Sequence, residues 1–233
     1  MNLRLRTAAV TAAAALAATG VALAPASSAA PAPAAKAAAP TVVAAETGTR
    51  SLAAVLTANG GGTLDKNWKD YDIVTKAVVT VLTAKPSSPV SALTDGSVAL
   101  TAFIPNDRAF QVLVQSLTGK KPKTEKATFK AVAKLGVNTI ETVLLYHVVV
   151  GPAIDSSAAL KANGAKLKTA AGLNLTVKVT KKPAIILIDK DRNARNARVI
   201  LSQVDINKGN AQIAHGIDRV LRPVNLPNKH GIS

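Results

Sequence analysis

Midway along this chain the hydrophobic period changes, and that change limits the fold more than any other feature. Residues 70–84 carry Ile73, Val74, Ala77, Val78, Val81 and Leu82 at helical spacing, and Lys85-Pro86 closes the run. Further helices are expected over residues 51–56, closed by Asn59-Gly60-Gly61-Gly62, and over 128–135 and 139–146, divided by Gly136. Residues 98–104 form a mostly apolar run, read as a buried strand. Pro105-Asn106-Asp107 then opens a helix through Leu117, with Asn106 as its N-cap. From Ala165 the period is two: Leu173, Leu175, Val177 and Val179 alternate with Asn174, Thr176, Lys178 and Thr180, as a half-buried strand requires. Strands are expected over 165–169, 173–180, 184–189, 199–204 and 213–221. Helices first and antiparallel strands after make an α+β domain.

The material for a core is restricted. Hydrophobic residues make up 48% of the 233 residues but aromatics only 3%, so Ala, Val, Leu and Ile must fill the interior. There is no cysteine, which excludes disulfides, thiolate metal sites and a cysteine nucleophile. Stability has to come from burial.

The N-terminus reads as an export signal. Arg4 and Arg6 precede an uncharged apolar stretch from Ala8 to Leu23, and Pro25-Ala26-Ser27-Ser28-Ala29-Ala30 supplies small residues for cleavage after Ala29 or Ala30. Residues 1–29 are thus expected to be a signal peptide and 30–48 an Ala/Pro spacer that prolines keep from forming one helix. A single domain is expected over 49–227 and a polar tail over 228–233. No later stretch reaches the ~20 apolar residues of a membrane span, so the mature protein is expected outside the cytoplasm, secreted or associated with the cell wall.

The formal net charge is +16, which selects anionic partners without naming one. Two basic clusters are candidates for an anionic surface: Lys120, Lys121, Lys123 and Lys126 around Pro122, and Arg192, Arg195 and Arg198 flanking a turn. Two tyrosines and one tryptophan make no stacking platform for bases, so dedicated nucleic-acid binding is not expected.

Catalytic and cofactor patterns are sparse. The histidines are His147, His215 and His230, without HExxH spacing, and no serine lies in a Gly-x-Ser-x-Gly turn. Gly119-Lys120-Lys121 lacks the upstream glycine of a phosphate loop. Asp189-Lys190-Asp191-Arg192-Asn193 begins like a calcium loop but lacks the central glycine and closing glutamate, and its cations would repel a metal. No catalytic residue, metal ligand or cofactor is expected, and His147 and His215 are read as hydrogen-bonded core residues.

Three segments together resemble the fasciclin (FAS1) family. They are Thr101-Ala102-Phe103-Ile104-Pro105-Asn106-Asp107-Arg108-Ala109-Phe110, Leu144-Leu145-Tyr146-His147-Val148-Val149-Val150-Gly151, and Ile213-Ala214-His215-Gly216-Ile217-Asp218-Arg219-Val220-Leu221-Arg222-Pro223. Against a compact family member, residues 68–99 look largely inserted. The resemblance implies a FAS1-like fold, a wedge or sandwich of antiparallel sheets with several helices around it. It also implies a motif set, structural or adhesive, of Thr101, Phe103, Pro105, Asn106, Asp107, Phe110, Tyr146, His147, His215, Ile217 and Asp218. The implied function is extracellular adhesion to an anionic cell-surface polymer, a matrix component or another surface protein. Two other readings stand beside it: a secreted carrier of a small apolar ligand, and, least favoured, an extracellular hydrolase. An apolar cavity closed to solvent would mark the carrier; a closed core with exposed basic loops would mark the adhesion module.

Overall fold

A computed structural model describes residues 48–229. The expected signal peptide, the spacer apart from Gly48, and the tail from residue 230 onward lie outside the described residues.

The first half is helical, as its period requires. Helix α1 (Leu52–Ala58) starts at Ser51, whose hydroxyl accepts from the Ala54 amide, and α2 (Asp72–Ala84) buries Ile73, Val74, Ala77, Val78 and Val81. Within residues 68–99, α2 lies in the main core and a 3₁₀ turn (Pro89–Thr94) packs beside it. Strand β1 (Leu100–Pro105) runs into α3 (Asp107–Thr118), capped by Asn106 through a 3.0 Å bond from the Ala109 amide and ended by Gly119 at φ 79°. Helix α4 (Glu125–Ala133) begins three residues earlier than its apolar pattern signals, because Thr124 caps it. After Gly136, α5 (Val137–Tyr146) leads through His147 into β2 (Val148–Val150).

The second half holds α6 (Ser156–Lys161), which the period does not announce, and then β3 (Lys166–Lys168), β4 (Asn174–Val179), β5 (Ile185–Ile188), β6 (Ala197–Arg198) and β7 (Gln212–Ile217). Strands β3 to β6 form an antiparallel meander in sequence order. The other sheet has the order β2-β1-β7, and here β7 runs parallel to β1, with Phe103 opposite His215 and Pro105 opposite Ile217. The expected all-antiparallel arrangement is corrected at this one pair. The chain leaves β1, builds the whole second sheet, and returns alongside β1, as a parallel neighbour needs a long crossover.

Two further expectations are corrected. A strand over 199–204 does not form. Val199 makes one bridge to Ile217, the Ile200 amide bonds to the Gly216 carbonyl, and Leu201–Gln203 is a 3₁₀ turn. Asp205 and Asn207, at φ 56° and 69°, complete the reversal. The last strand stops at Ile217, so Asp218 lies just beyond it.

β1 is buried along its whole length because both its faces are covered. Leu100, Ala102 and Ile104 enter a core shared with helices α1 to α5. Phe103, on the opposite face, joins Tyr146, Val149, Leu175, Val177, Ile185, Leu187 and Ile217 in a second core between the sheets. The two sheets thus share one core, and helices cover the other face of the β2-β1-β7 sheet.

Candidate functional site

The three motif segments meet around β1 and β7, and most of their polar side chains bond to the backbone. The Thr101 hydroxyl accepts from the Ile154 amide at 2.8 Å. Tyr146 is fully buried and donates its hydroxyl to the Asn174 carbonyl at 3.3 Å. Phe103 and His215 lie tilted with ring centroids 6.0 Å apart. Pro105 and Phe110 border an apolar cavity described below.

Both motif histidines are buried, and their neighbours assign the tautomers. His147 Nδ1 donates to the Val143 carbonyl at 2.7 Å, while Nε2 accepts from the Leu221 amide at 2.9 Å. Burial lowers its pKa to about 4, so the ring stays neutral. His215 has the opposite arrangement: Nε2 donates to the Ile154 carbonyl at 2.8 Å and Nδ1 accepts from the Asp205 amide at 3.3 Å. Asp218 ties the two sheets, accepting from the Arg198 amide at 2.7 Å while its own amide donates to the Arg198 carbonyl.

The basic clusters fall in different places. Lys120, Lys121 and Lys123 are exposed on the loop after α3, which Gln111 pins by donating to the Pro122 carbonyl at 2.7 Å, and Lys126 is exposed on α4. Arg192, Arg195 and Arg198 are also exposed. Of these, Arg195 shares a pocket of about 170 Å³ with Arg219, Arg222, Gln115 and Ser116, so two arginines absent from the expected set join it. The Asp189–Asp191 segment is occupied otherwise: Asp191, fully buried, pairs with Arg222 at 2.8 Å.

Burial sorts the charges by sign. Among the described residues only Asp65 and Asp95 are fully exposed acids, whereas every lysine and arginine except Lys85, Arg219 and Arg222 is exposed. The interior acids include Asp72, Asp107 and Glu125, each the first residue of a helix and each nearly or wholly buried. Desolvation raises the pKa of all three, opposed at Asp107 by a bond from the Ile73 amide and at Glu125 by one from the Asp65 amide. Neither Asp72 nor Glu125 belongs to the expected motif set. The charge run Asp65-x-Asn67-x-x-Asp70-x-Asp72 is the signal that could have found this region.

One more feature stands out. Between α2, α3, α5 and the segment 220–227 lies a cavity of about 380 Å³, lined almost wholly by apolar side chains including Val74, Leu113, Ile140 and Leu226. Its edge carries the exposed side chains of Leu135 and Val224.

Comparison with known proteins adds the following. The protein-family model for the fasciclin domain matches residues 75–223. Among solved structures, a FAS1 domain pair from the insect cell adhesion molecule fasciclin I matches at 18% identity, with a TM-score of 0.40. The match covers 63% of this chain and 44% of that one, so this chain spans less than half of the pair. No curated protein matches.

Proposed function

The chain belongs to the fasciclin domain family, and we propose that it is an exported adhesion module that binds an anionic polymer of a cell surface or matrix through its lysine- and arginine-rich exterior. Fasciclin domains are in general non-enzymatic adhesion modules. The observation that carries the anionic target is the sorting of charge by burial. A positive net charge could be spread among neutralising acids, but among the described residues nearly all the cations are exposed while ten of the twelve acids are buried or half-buried. An exterior dominated by cations attracts a polyanion over roughly a Debye length, about 8–10 Å at moderate salt. The motif histidines support binding rather than hydrolysis. Both ring nitrogens of each are engaged by backbone groups or turned to them, which leaves no free base beside a nucleophile.

Binding to beads carrying an acidic polysaccharide tests this. Affinity should fall by about tenfold or more as sodium chloride rises from roughly 50 to 500 mM. Changing Lys120, Lys121 and Lys123 to glutamate should weaken binding and leave stability within about 0.5 kcal/mol, since these side chains are exposed. The same reversal at Arg192, Arg195 and Arg198 gives an independent comparison. If both variants bind as the parent does, without salt dependence, the charge serves solubility and the proposal fails.

The apolar cavity favours a second reading, a carrier of a small apolar ligand. Its volume of about 380 Å³ falls within the range of small-molecule pockets. A neutral solvatochromic dye should brighten on binding the parent and not an Ala77→Leu variant, whose larger side chain enters the cavity. Equal emission from both proteins would place the dye elsewhere and sink this reading while leaving the first untouched.

A further inference from the structure

We propose that the carboxylates around Asp70, with Asp72 and Asp107 on one side and Asp65 and Glu125 on the other, bind a divalent cation of the calcium type. This is a function separate from the basic exterior and of opposite sign.

The residues come from three parts of the chain. Asp65 and Asp70 lie in the loop before α2, Asp72 opens α2, Asp107 opens α3, and Glu125 opens α4. Asp65, Asp70 and Glu125 each offer a carboxylate oxygen within 4.8 Å of the others, and so do Asp70, Asp72 and Asp107. Within each set that is the spread expected of ligands around one ion at about 2.4 Å, and Asp70 is common to both sets.

An acidic cluster alone would mean little, but three of these carboxylates are buried and four of the five hold a buried oxygen without a partner. Asp107 and Glu125 are 0% exposed and Asp72 2%. Asp107 accepts from the Ile73 amide at 2.9 Å through Oδ1, and Glu125 accepts from the Asp65 amide at 2.6 Å through Oε2. Their second oxygens, Asp107 Oδ2 and Glu125 Oε1, together with Asp70 Oδ1 and Asp72 Oδ1, are buried with no hydrogen-bond partner. No ion pair among the described residues reaches any of the five. Lysines are near in sequence, at 66, 69, 76 and 126, yet their side chains stay exposed.

Two other arrangements could hold such charge. Helix N-termini supply about half a positive charge each, so α2, α3 and α4 offer roughly one and a half charges against five carboxylates. That is too little. A proton on Asp107 would remove one charge and leave the Glu125 side of the cluster as it is. A divalent ion held by Asp70 with either neighbouring pair would meet the carboxylates of that set together. The donor set is entirely carboxylate, without nitrogen or sulfur, which selects a hard cation. A dedicated cage of several protein carboxylates suits calcium better than magnesium, which keeps most of its waters. The loop is shaped for a close approach: Gly60, at φ 109°, brings its backbone so near that a Cβ there would lie 2.7 Å from the free Asp72 Oδ1.

The chain's single tryptophan, Trp68, stands two residues from Asp70, and its carbonyl accepts from the Arg108 amide at 3.0 Å beside the start of α3. The full chain, stripped of metal by chelator, is therefore titrated with terbium under tryptophan excitation and then with calcium. Sensitised emission should appear with terbium and be displaced by calcium. Millimolar calcium should raise the thermal midpoint by about 5–10 °C over chelator. Asp70→Asn should weaken terbium and calcium binding at least about tenfold, while Asp95→Asn, an exposed acid outside the cluster, should not. The proposal is overturned if the parent gives no sensitised emission and the same midpoint in calcium and chelator, because protons then hold the carboxylates. It is equally overturned if Asp70→Asn folds and binds as the parent does. The parent decides the question even where the variant fails to fold.

Discussion

Replacing Arg222 with methionine should lower stability by about 3–5 kcal/mol, the usual cost of leaving one partner of a buried ion pair uncompensated. Arg222 is 5% exposed, and its guanidinium donates to Asp191 Oδ2 at 2.8 Å and to the Ser116 hydroxyl at 2.6 Å. Its own amide donates to Asp189 Oδ2 at 2.8 Å. With the guanidinium gone, Asp191 would keep a negative charge with no exposed surface on its side chain. Methionine fills most of the same space, so the loss reports charge more than packing. In a domain of this size the thermal midpoint should fall by about 10 °C or more. Adding Asp191→Asn, which removes the stranded charge and retains the oxygen that accepts from the Asn193 amide, should restore more than half of the loss. Chemical unfolding of the parent, the single variant and the double variant measures all three. A single variant within about 1 kcal/mol of the parent would show that the pair contributes little.

Nothing local in the sequence announces that pair, since the partners of Arg222 are 31 and 106 residues away. The same distinction separates what was legible in this chain from what was not. Helix α2, the Asn106 cap and the alternation in β4 depend on neighbours a few residues apart, so period and capping residues reveal them. The parallel pairing of β7 with β1 depends on a crossover through an entire sheet, which periodicity does not record. Residues 199–204 mislead for a related reason: Val199, Ile200, Leu201 and Val204 have strand composition, but Leu201 is 53% exposed and the chain turns away at Asp205. For the candidate sites, a charge of +16 gives the sign of a partner. Only the fold shows that the acids are drawn inward, and that Asp107 and Glu125 join Asp70 across 37 and 55 positions of chain.

Acidification should reveal His147. Its folded pKa lies at about 4 because burial opposes the charged ring, whereas an unfolded histidine titrates near 6.5. Between those values the unfolded chain takes up a proton that the folded chain refuses. The sign follows directly: this contribution is fully present above about pH 6.5 and is lost as pH falls toward 4. A separation of about 2.5 units corresponds to roughly 3 kcal/mol. Total stability need not follow that curve, because Asp189 and the buried acids have raised pKa values and act in the opposite direction. The measurement is therefore a difference. His147→Gln keeps one donor and one acceptor for the Val143 carbonyl and the Leu221 amide but cannot titrate. At pH 7 the variant should be less stable than the parent, by about 1–3 kcal/mol, through poorer geometry at those two bonds. By pH 4 the gap should close or reverse, as the parent loses about 3 kcal/mol that the variant does not. Parallel stability curves for the two proteins across that range would mean that His147 titrates alike in both states, and that the ring is not shielded from solvent as its neighbours require.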